Sequence, residues 1–219
     1  MTAPFLSTTS RDIAVQPDRA ALLFIDVQNF CLHPEGSEVR QASENDRRDT
    51  YLPFIARFNR EILPNMQALQ RAGRQAGMEV MYTTIESLTL DGRDRSLDYK
   101  ITGFNVPKGS FDAKLIDGIA PQGDEIVLPK SSSSVFVSTH IDYVLRNLGV
   151  AQLVISGVLT DQCVESAVRD ACDLGYLVTL VADACATYTP ERQVASLQAI
   201  RGYCRQVTTA ELVAELAIG

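Results

Sequence analysis

The sequence predicts one α/β domain, a three-layer α/β/α sandwich around a mainly parallel sheet, and two observations predict it. Short apolar runs alternate with amphipathic segments along the chain, which is the order of βαβ units joined by right-handed crossovers. Those runs are apolar throughout rather than alternating, as strands covered on both faces must be. The 219 residues show no dividing linker, internal repeat or low-complexity stretch, so a single domain over 1–219 is expected. Its core would span about 18–210, behind an N-terminal arm of residues 1–17.

The first strand is Ala20-Ala21-Leu22-Leu23-Phe24-Ile25, ending at Asp26 and followed by Val27-Gln28-Asn29. A polar, charged loop from His33 to Thr50 comes next. Phe54, Phe58, Ile62, Met66 and Leu69 then recur at helical spacing and predict a helix around Pro53 to Ala72, which Pro64 should bend or divide. Met78 to Thr83 reads as the second strand. Glu86 to Lys108 is the least regular stretch; a long loop there would overhang the carboxyl edge of the sheet and act as the specificity loop. Strands follow around 124–129, 151–156 and 176–182, the first delivering Lys130 into the polar turn Ser131 to Ser134. The helix beginning near Asp161 carries Val164, Ala167, Val168 and Ala171 on one face. A helix over about Glu191 to Tyr203, a short strand near Arg205 to Val207 and a helix from Ala210 to Leu216 complete the order.

A net charge of −7 argues against nucleic-acid and anionic-membrane partners, since either needs a basic face, and favours a small soluble ligand. No apolar run approaches the roughly 20 residues of a membrane span. Residues 1–19 lack the basic start and apolar centre of a secretory leader, so a cytoplasmic location is expected. The five cysteines, Cys31, Cys163, Cys172, Cys185 and Cys204, have no disulfide-like spacing. Cys172, Cys185 and Cys204 read as small apolar fillers.

Cys163 reads differently. In the run Val154 to Glu165 an apolar strand breaks at Gly157 and a helix starts just before the cysteine. Unpaired amides and the positive dipole end at a helix N-terminus are expected to lower a thiol's pKa. Asp26 and Lys130 would lie at the same carboxyl edge, where open α/β sheets bind their ligands. Asp26 would take the thiol proton, Lys130 would hold the charged groups, and Cys163 would attack a carbonyl carbon.

Three stretches in this order, Leu23 to Gln28, Lys130 with Ser134-Val135-Phe136, and Gly157 to Val164, resemble the isochorismatase-like cysteine hydrolases. Asp170-Ala171, Gly175-Tyr176 and Val181 to Ala184 continue the likeness, which covers about residues 18–210. The resemblance implies a Rossmann-like sandwich and an Asp26, Lys130, Cys163 triad working through a thioester or thiocarbamate. It also implies a cis peptide between Val158 and Leu159, an oxyanion hole formed by the amides of Leu159 and Cys163, and a homo-oligomer, often a dimer or tetramer.

Pro107 to Asp112, with Val127 to Lys130 after it, look most like ureidoacrylate amidohydrolases, so the expected reaction is C–N cleavage in a small ureido, N-carbamoyl or amide compound such as ureidoacrylate, biuret or triuret. Isochorismatase-type vinyl-ether cleavage is the next alternative, and it does not need the cysteine. Nicotinamidases hold a metal with Asp and His beside the triad, and neither His33 nor His140 matches those positions. No metal and no cofactor are therefore expected. A catalytically silent binding subunit is a further alternative, weakened by all three triad positions being filled.

Around the triad, Glu86 is read as an acceptor for substrate NH groups, Gln28 as a residue near the base that holds its loop or meets substrate, and Phe30, Tyr82 and Phe136 as pocket walls. Ordinary core or solvent positions are the simpler reading of each. Arg93, Asp94 and Arg95 read equally well as binding residues or solvated surface charges, and Arg201 and Tyr203 are weaker candidates.

Overall fold

The computed structural model describes residues 10–218; the first nine residues of the expected N-terminal arm lie outside this range. Six strands form the sheet: β1 (Ala20–Ile25), β2 (Glu79–Ile85), β3 (Ile126–Lys130), β4 (Gln152–Val158), β5 (Leu177–Ala186) and β6 (Arg205–Val207). All five pairings are parallel, in the order β3-β2-β1-β4-β5-β6. β1 and β4, at the centre, are buried at every position, which is why their sequences show no polar alternation.

Helices α1 (Leu63–Gln75) and α5 (Thr209–Leu216) pack on each other and on one face of the sheet. Helices α2 (Ile141–Asn147) and α3 (Glu165–Asp173) belong to the opposite layer, and α4 (Pro190–Ala199) packs on the turn that precedes α3. Buried Ala167, Val168 and Ala171 of α3, with Val164 in the turn just before it, form the inward stripe expected there. Local chemistry fixes several starts: Thr208 and Glu211 close a capping box on α5, while Thr189 caps α4 ahead of Pro190.

One expected feature is met and three differ. The helix around Pro53 is divided as expected, with Leu52–Arg57 and α1 separated by a π-helical turn over Phe58–Ile62 and Pro64 in the first turn of the restart. The stretch His33 to Thr50 is not plain loop: it contains helical turns at Ser37–Gln41 and Glu44–Asp46 and a π-helical turn from Arg47. The Glu86 to Lys108 segment carries its own helix, Leu97–Thr102, capped by Ser96 and ended by Gly103 at φ 81°. β5 runs four residues past its expected end because its register shifts between Ile155 and Gly157 of β4, which lets pairing continue to Ala186.

The chain forms β1, β2 and β3 outward in one direction and then returns to the other side of β1 for β4. The strand order therefore reverses between β1 and β4, and the crevice beyond their carboxyl ends is where such sheets hold ligands. Gly157 lies beside this reversal at φ 145°, and a Cβ there would stand 2.3 Å from the Ile25 carbonyl oxygen. Only glycine lets β4 approach the end of β1 this closely.

Candidate active site

Three strand ends meet at the crevice. Asp26 directly follows β1 with a left-handed backbone, φ 55°, an uncommon conformation for a residue other than glycine and one that clusters at functional sites. Lys130 ends β3, and Cys163 sits in the π-helical turn Thr160–Val164 that links β4 to α3. The Lys130 Nζ lies 2.8 Å from Asp26 Oδ2 and donates to Cys163 Sγ at 3.3 Å and to the Ser132 carbonyl at 3.0 Å. Its side chain is fully buried, a position lysine takes only when paired.

Thr83 of β2 holds the carboxylate. Its hydroxyl donates to Asp26 Oδ1 at 2.8 Å, and the Asp26 amide donates to the Thr83 carbonyl. Oδ2 lies against the ammonium and, since a carboxylate oxygen has more than one acceptor site, keeps a lone pair for an incoming proton. The Tyr99 hydroxyl, on the helix of the 86–108 segment, lies 3.9 Å from Cys163 Sγ.

A cavity of about 20 Å³ faces this cluster, lined by Asp26, Phe30, Cys31, Glu38, Phe104 and Cys163 with Ile85, Val158, Leu159 and Gln162. That volume holds about one water molecule. Phe30, Glu38 and Phe104 also line a larger outer groove of about 660 Å³. Phe104 meets Phe30 edge-on at 5.3 Å and Tyr99 at 5.6 Å, so the two rings that line both spaces pack into one aromatic cluster with Tyr99. The Val158–Leu159 peptide is cis.

Electrostatics corrects one expectation. The Cys163 thiol is raised on balance and not lowered: burial pushes it up to about 12, the Lys130 charge pulls against this, and Asp26 adds to the rise. Burial disfavours a bare thiolate, and the ammonium that would offset it is already engaged by a carboxylate. Burial also works against the Lys130 ammonium, yet Asp26, Cys163 and Tyr99 outweigh it and hold that group above its ordinary value. The resting site thus contains a protonated thiol beside a paired carboxylate and ammonium. Alkylation of Cys163 by iodoacetamide, followed by mass spectrometry, should therefore accelerate about tenfold per pH unit from 7 to 10, tracking the thiolate fraction. A rate already flat above pH 7 would show that the helix terminus prevails.

Several other expected site residues have different work. Gln28 is fully buried and spent on the fold: its amide donates to the carbonyls of Ile85 and Asp112 and accepts from the Ile85 amide, so it ties the base-bearing turn in place and is not a substrate contact. Glu86 accepts from the Gly109 amide at 2.8 Å and staples the 107–112 loop instead of facing the cavity. Tyr82 does not wall the pocket, because it stacks on Phe24 and its hydroxyl joins Gln70, Arg74 and Glu125. Phe136 packs against Tyr176 and does not line the cavity. Phe30 does line it.

Asp94 and Arg95 brace the 86–108 segment internally, through the Leu88 amide and Thr89 and through the Gly92 and Phe104 carbonyls, while Arg93 pairs with Asp91 in solvent. Arg201 is exposed, and Tyr203 lies under Arg169. His140 is exposed at the start of α2, and His33 accepts from the Glu35 amide and packs on Phe111. Thr83, Tyr99 and Glu38 went unnoticed in the sequence. Thr83 had a usable cue in lying near the end of an apolar strand; the other two reach the site only through tertiary structure.

The parallel sheet thus brings a buried Cys, Lys and Asp cluster together at its switch point. The chain belongs to the isochorismatase family, a family of hydrolases, whose isochorismatase domain matches residues 20–212. Among solved structures, it resembles a cysteine hydrolase from Pseudomonas syringae pv. phaseolicola 1448A, with a TM-score of 0.79 and 24% identity over 97% of this chain and 99% of the other. An isochorismatase family protein from Desulfovibrio vulgaris subsp. vulgaris str. Hildenborough matches at 0.74 and 26% identity, covering 91% and 98% of the two chains. N-carbamoylsarcosine amidase from Thermoplasma acidophilum matches at 0.66 and 24% identity, covering 87% and 96%.

Proposed function

We propose that this chain hydrolyses a C–N bond of a small ureido, N-carbamoyl or amide compound through a covalent intermediate on Cys163. The observation that carries the reading is the single ammonium of Lys130 in contact with both the Asp26 carboxylate, at 2.8 Å, and the Cys163 sulfur, at 3.3 Å. A thiol whose pKa is raised needs a base at the moment of attack, and the unshared lone pair on Asp26 Oδ2 supplies one.

In the first half-reaction the thiol proton passes to Asp26 as sulfur bonds to the carbonyl carbon. The amides of Leu159 and Cys163 receive the oxyanion. The tetrahedral adduct collapses by breaking its C–N bond, and protonated Asp26 returns the proton to the departing ammonia or amine. In the second half-reaction Asp26 removes a proton from water as its oxygen attacks the thioester or thiocarbamate, and the leaving sulfur regains a proton. The net change is one water consumed, with one acid and one amine released. Lys130 keeps its charge throughout and offsets the negative charge as it moves between oxygen and sulfur.

The ligand this mechanism requires is a small molecule, and the assembly expected with it is a homo-oligomer, measurable by sedimentation. The test of the reaction is an ammonia-release screen over ureidoacrylate, biuret, triuret, N-carbamoyl amino acids, nicotinamide and simple amides, with isochorismate as the vinyl-ether control. Ammonia release from the ureido set, accompanied by a burst of acyl-enzyme at Cys163, supports the reading; turnover of isochorismate alone overturns it.

A further inference from the structure

We infer that Glu38 is the specificity-determining residue of this site and selects neutral, N–H-rich urea-type substrates over substrates that carry a carboxylate. The inference deepens the proposed C–N hydrolysis and rests on it. Glu38 and Asp26 are the charged side chains among those lining the inner cavity, and Asp26 is committed to Lys130 and Thr83. Glu38 also lines the outer groove, as do Phe30 and Phe104, so this residue stands where the two spaces adjoin.

The carboxyl is held from behind. Tyr188 donates to Glu38 Oε1 at 2.6 Å, and no donor among the described residues reaches Oε2. Tyr188 is itself fixed, edge-on to Phe54 at 5.0 Å and to Tyr51 at 5.1 Å, with the Arg192 guanidinium over its ring. Fixing one oxygen leaves the other as a pre-oriented acceptor. A urea nitrogen beyond the scissile carbonyl can donate to it, and an N–H donor meets a carboxylate in the stronger class of hydrogen bond.

A substrate carboxylate fares worse. No lysine, arginine or histidine lines the inner cavity among the described residues, and the outer groove carries Glu35, Glu38, Asp46 and Asp112 against Arg40 alone. Arg192, whose guanidinium lies over the Tyr188 ring, is engaged by Asp161 at 2.5 Å. Burial also pushes the Glu38 carboxyl up to about 7, against the hydrogen bond from Tyr188 and the charge of Arg192, so a second negative charge brought alongside would add to an existing cost.

The test compares neutral N-alkylureas and biuret with N-carbamoyl amino acids of matched size. In the wild-type protein KM should be about tenfold lower for the neutral set, the discrimination expected of one charge-assisted hydrogen bond. Glu38→Gln keeps the shape, and Tyr188 still donates to the remaining oxygen, so the amide NH₂ replaces Oε2 and an acceptor becomes a donor. That variant should raise KM for the neutral set about tenfold, affect kcat less, and narrow or reverse the preference. Tyr188→Phe should move KM in the same direction by a smaller factor.

A Glu38→Gln effect equal for both sets, or a wild-type preference for the carboxylates, overturns the inference. Calorimetric titration of Cys163→Ser with the same compounds separates the two claims. Glu38-dependent binding of the ureas without turnover by the wild type leaves the selectivity standing and removes the reaction; binding of neither set removes the selectivity.

Discussion

Cys163→Ser should reduce kcat/KM by about 10⁴-fold or more while leaving the fold intact. The sulfur is the atom that bonds to the substrate in the proposed scheme, and a serine hydroxyl in its place is far harder to deprotonate than even a thiol raised to about 12. The exchange is nearly isosteric, and the Lys130 ammonium that donates to Sγ at 3.3 Å has an oxygen acceptor to use instead. Stability should therefore change by only about 1 kcal/mol. Steady-state rates together with thermal melts measure both quantities. A variant retaining a tenth of wild-type turnover would remove covalent catalysis by sulfur from the scheme.

Lys130→Met should damage both activity and stability. Burying a charge whose partner has been deleted costs about 3–5 kcal/mol, and Asp26 would be left in that position with only Thr83 donating to its carboxylate. Turnover should fall by about 10³-fold, since neither the carboxylate nor the sulfur would keep its counter-charge. The pH dependence follows from the sign of the shift. Lys130 is held above its ordinary value of 10.5, so the stability it contributes is fully present below about that pH and is lost only as pH rises through the raised value. Adding Asp26→Asn should restore much of the stability and none of the turnover. Urea denaturation would show this, and a single variant as stable as the wild type would mean that the buried pair carries no such cost.

The parts of the site written into contiguous sequence were legible. Asp26, Lys130 and Cys163 each end or follow an apolar run, and a parallel sheet brings such ends to one edge whatever lies between them. What a run of letters does not encode is which face a side chain takes. Tyr82 and Thr83 are adjacent in β2, yet alternation sends the threonine to Asp26 and the tyrosine to Arg74 and Glu125. Tyr99 reaches the sulfur and Glu38 the cavity from segments without clear periodicity, because their short helices depend on tertiary support. The raised thiol escaped notice for a related reason: a helix terminus is visible in sequence, whereas the degree of enclosure around it is not.

The ammonium at the heart of this site comes from a strand with one neighbour. β3 pairs with β2 alone at the margin of the sheet, so its fraying requires far less disruption than separating β1 from β4. Loosening of that margin would withdraw the cation while the central strands stay assembled, so heat or denaturant should silence the enzyme before it melts. Inactivation and global unfolding would then be two events, with the earlier one reversible.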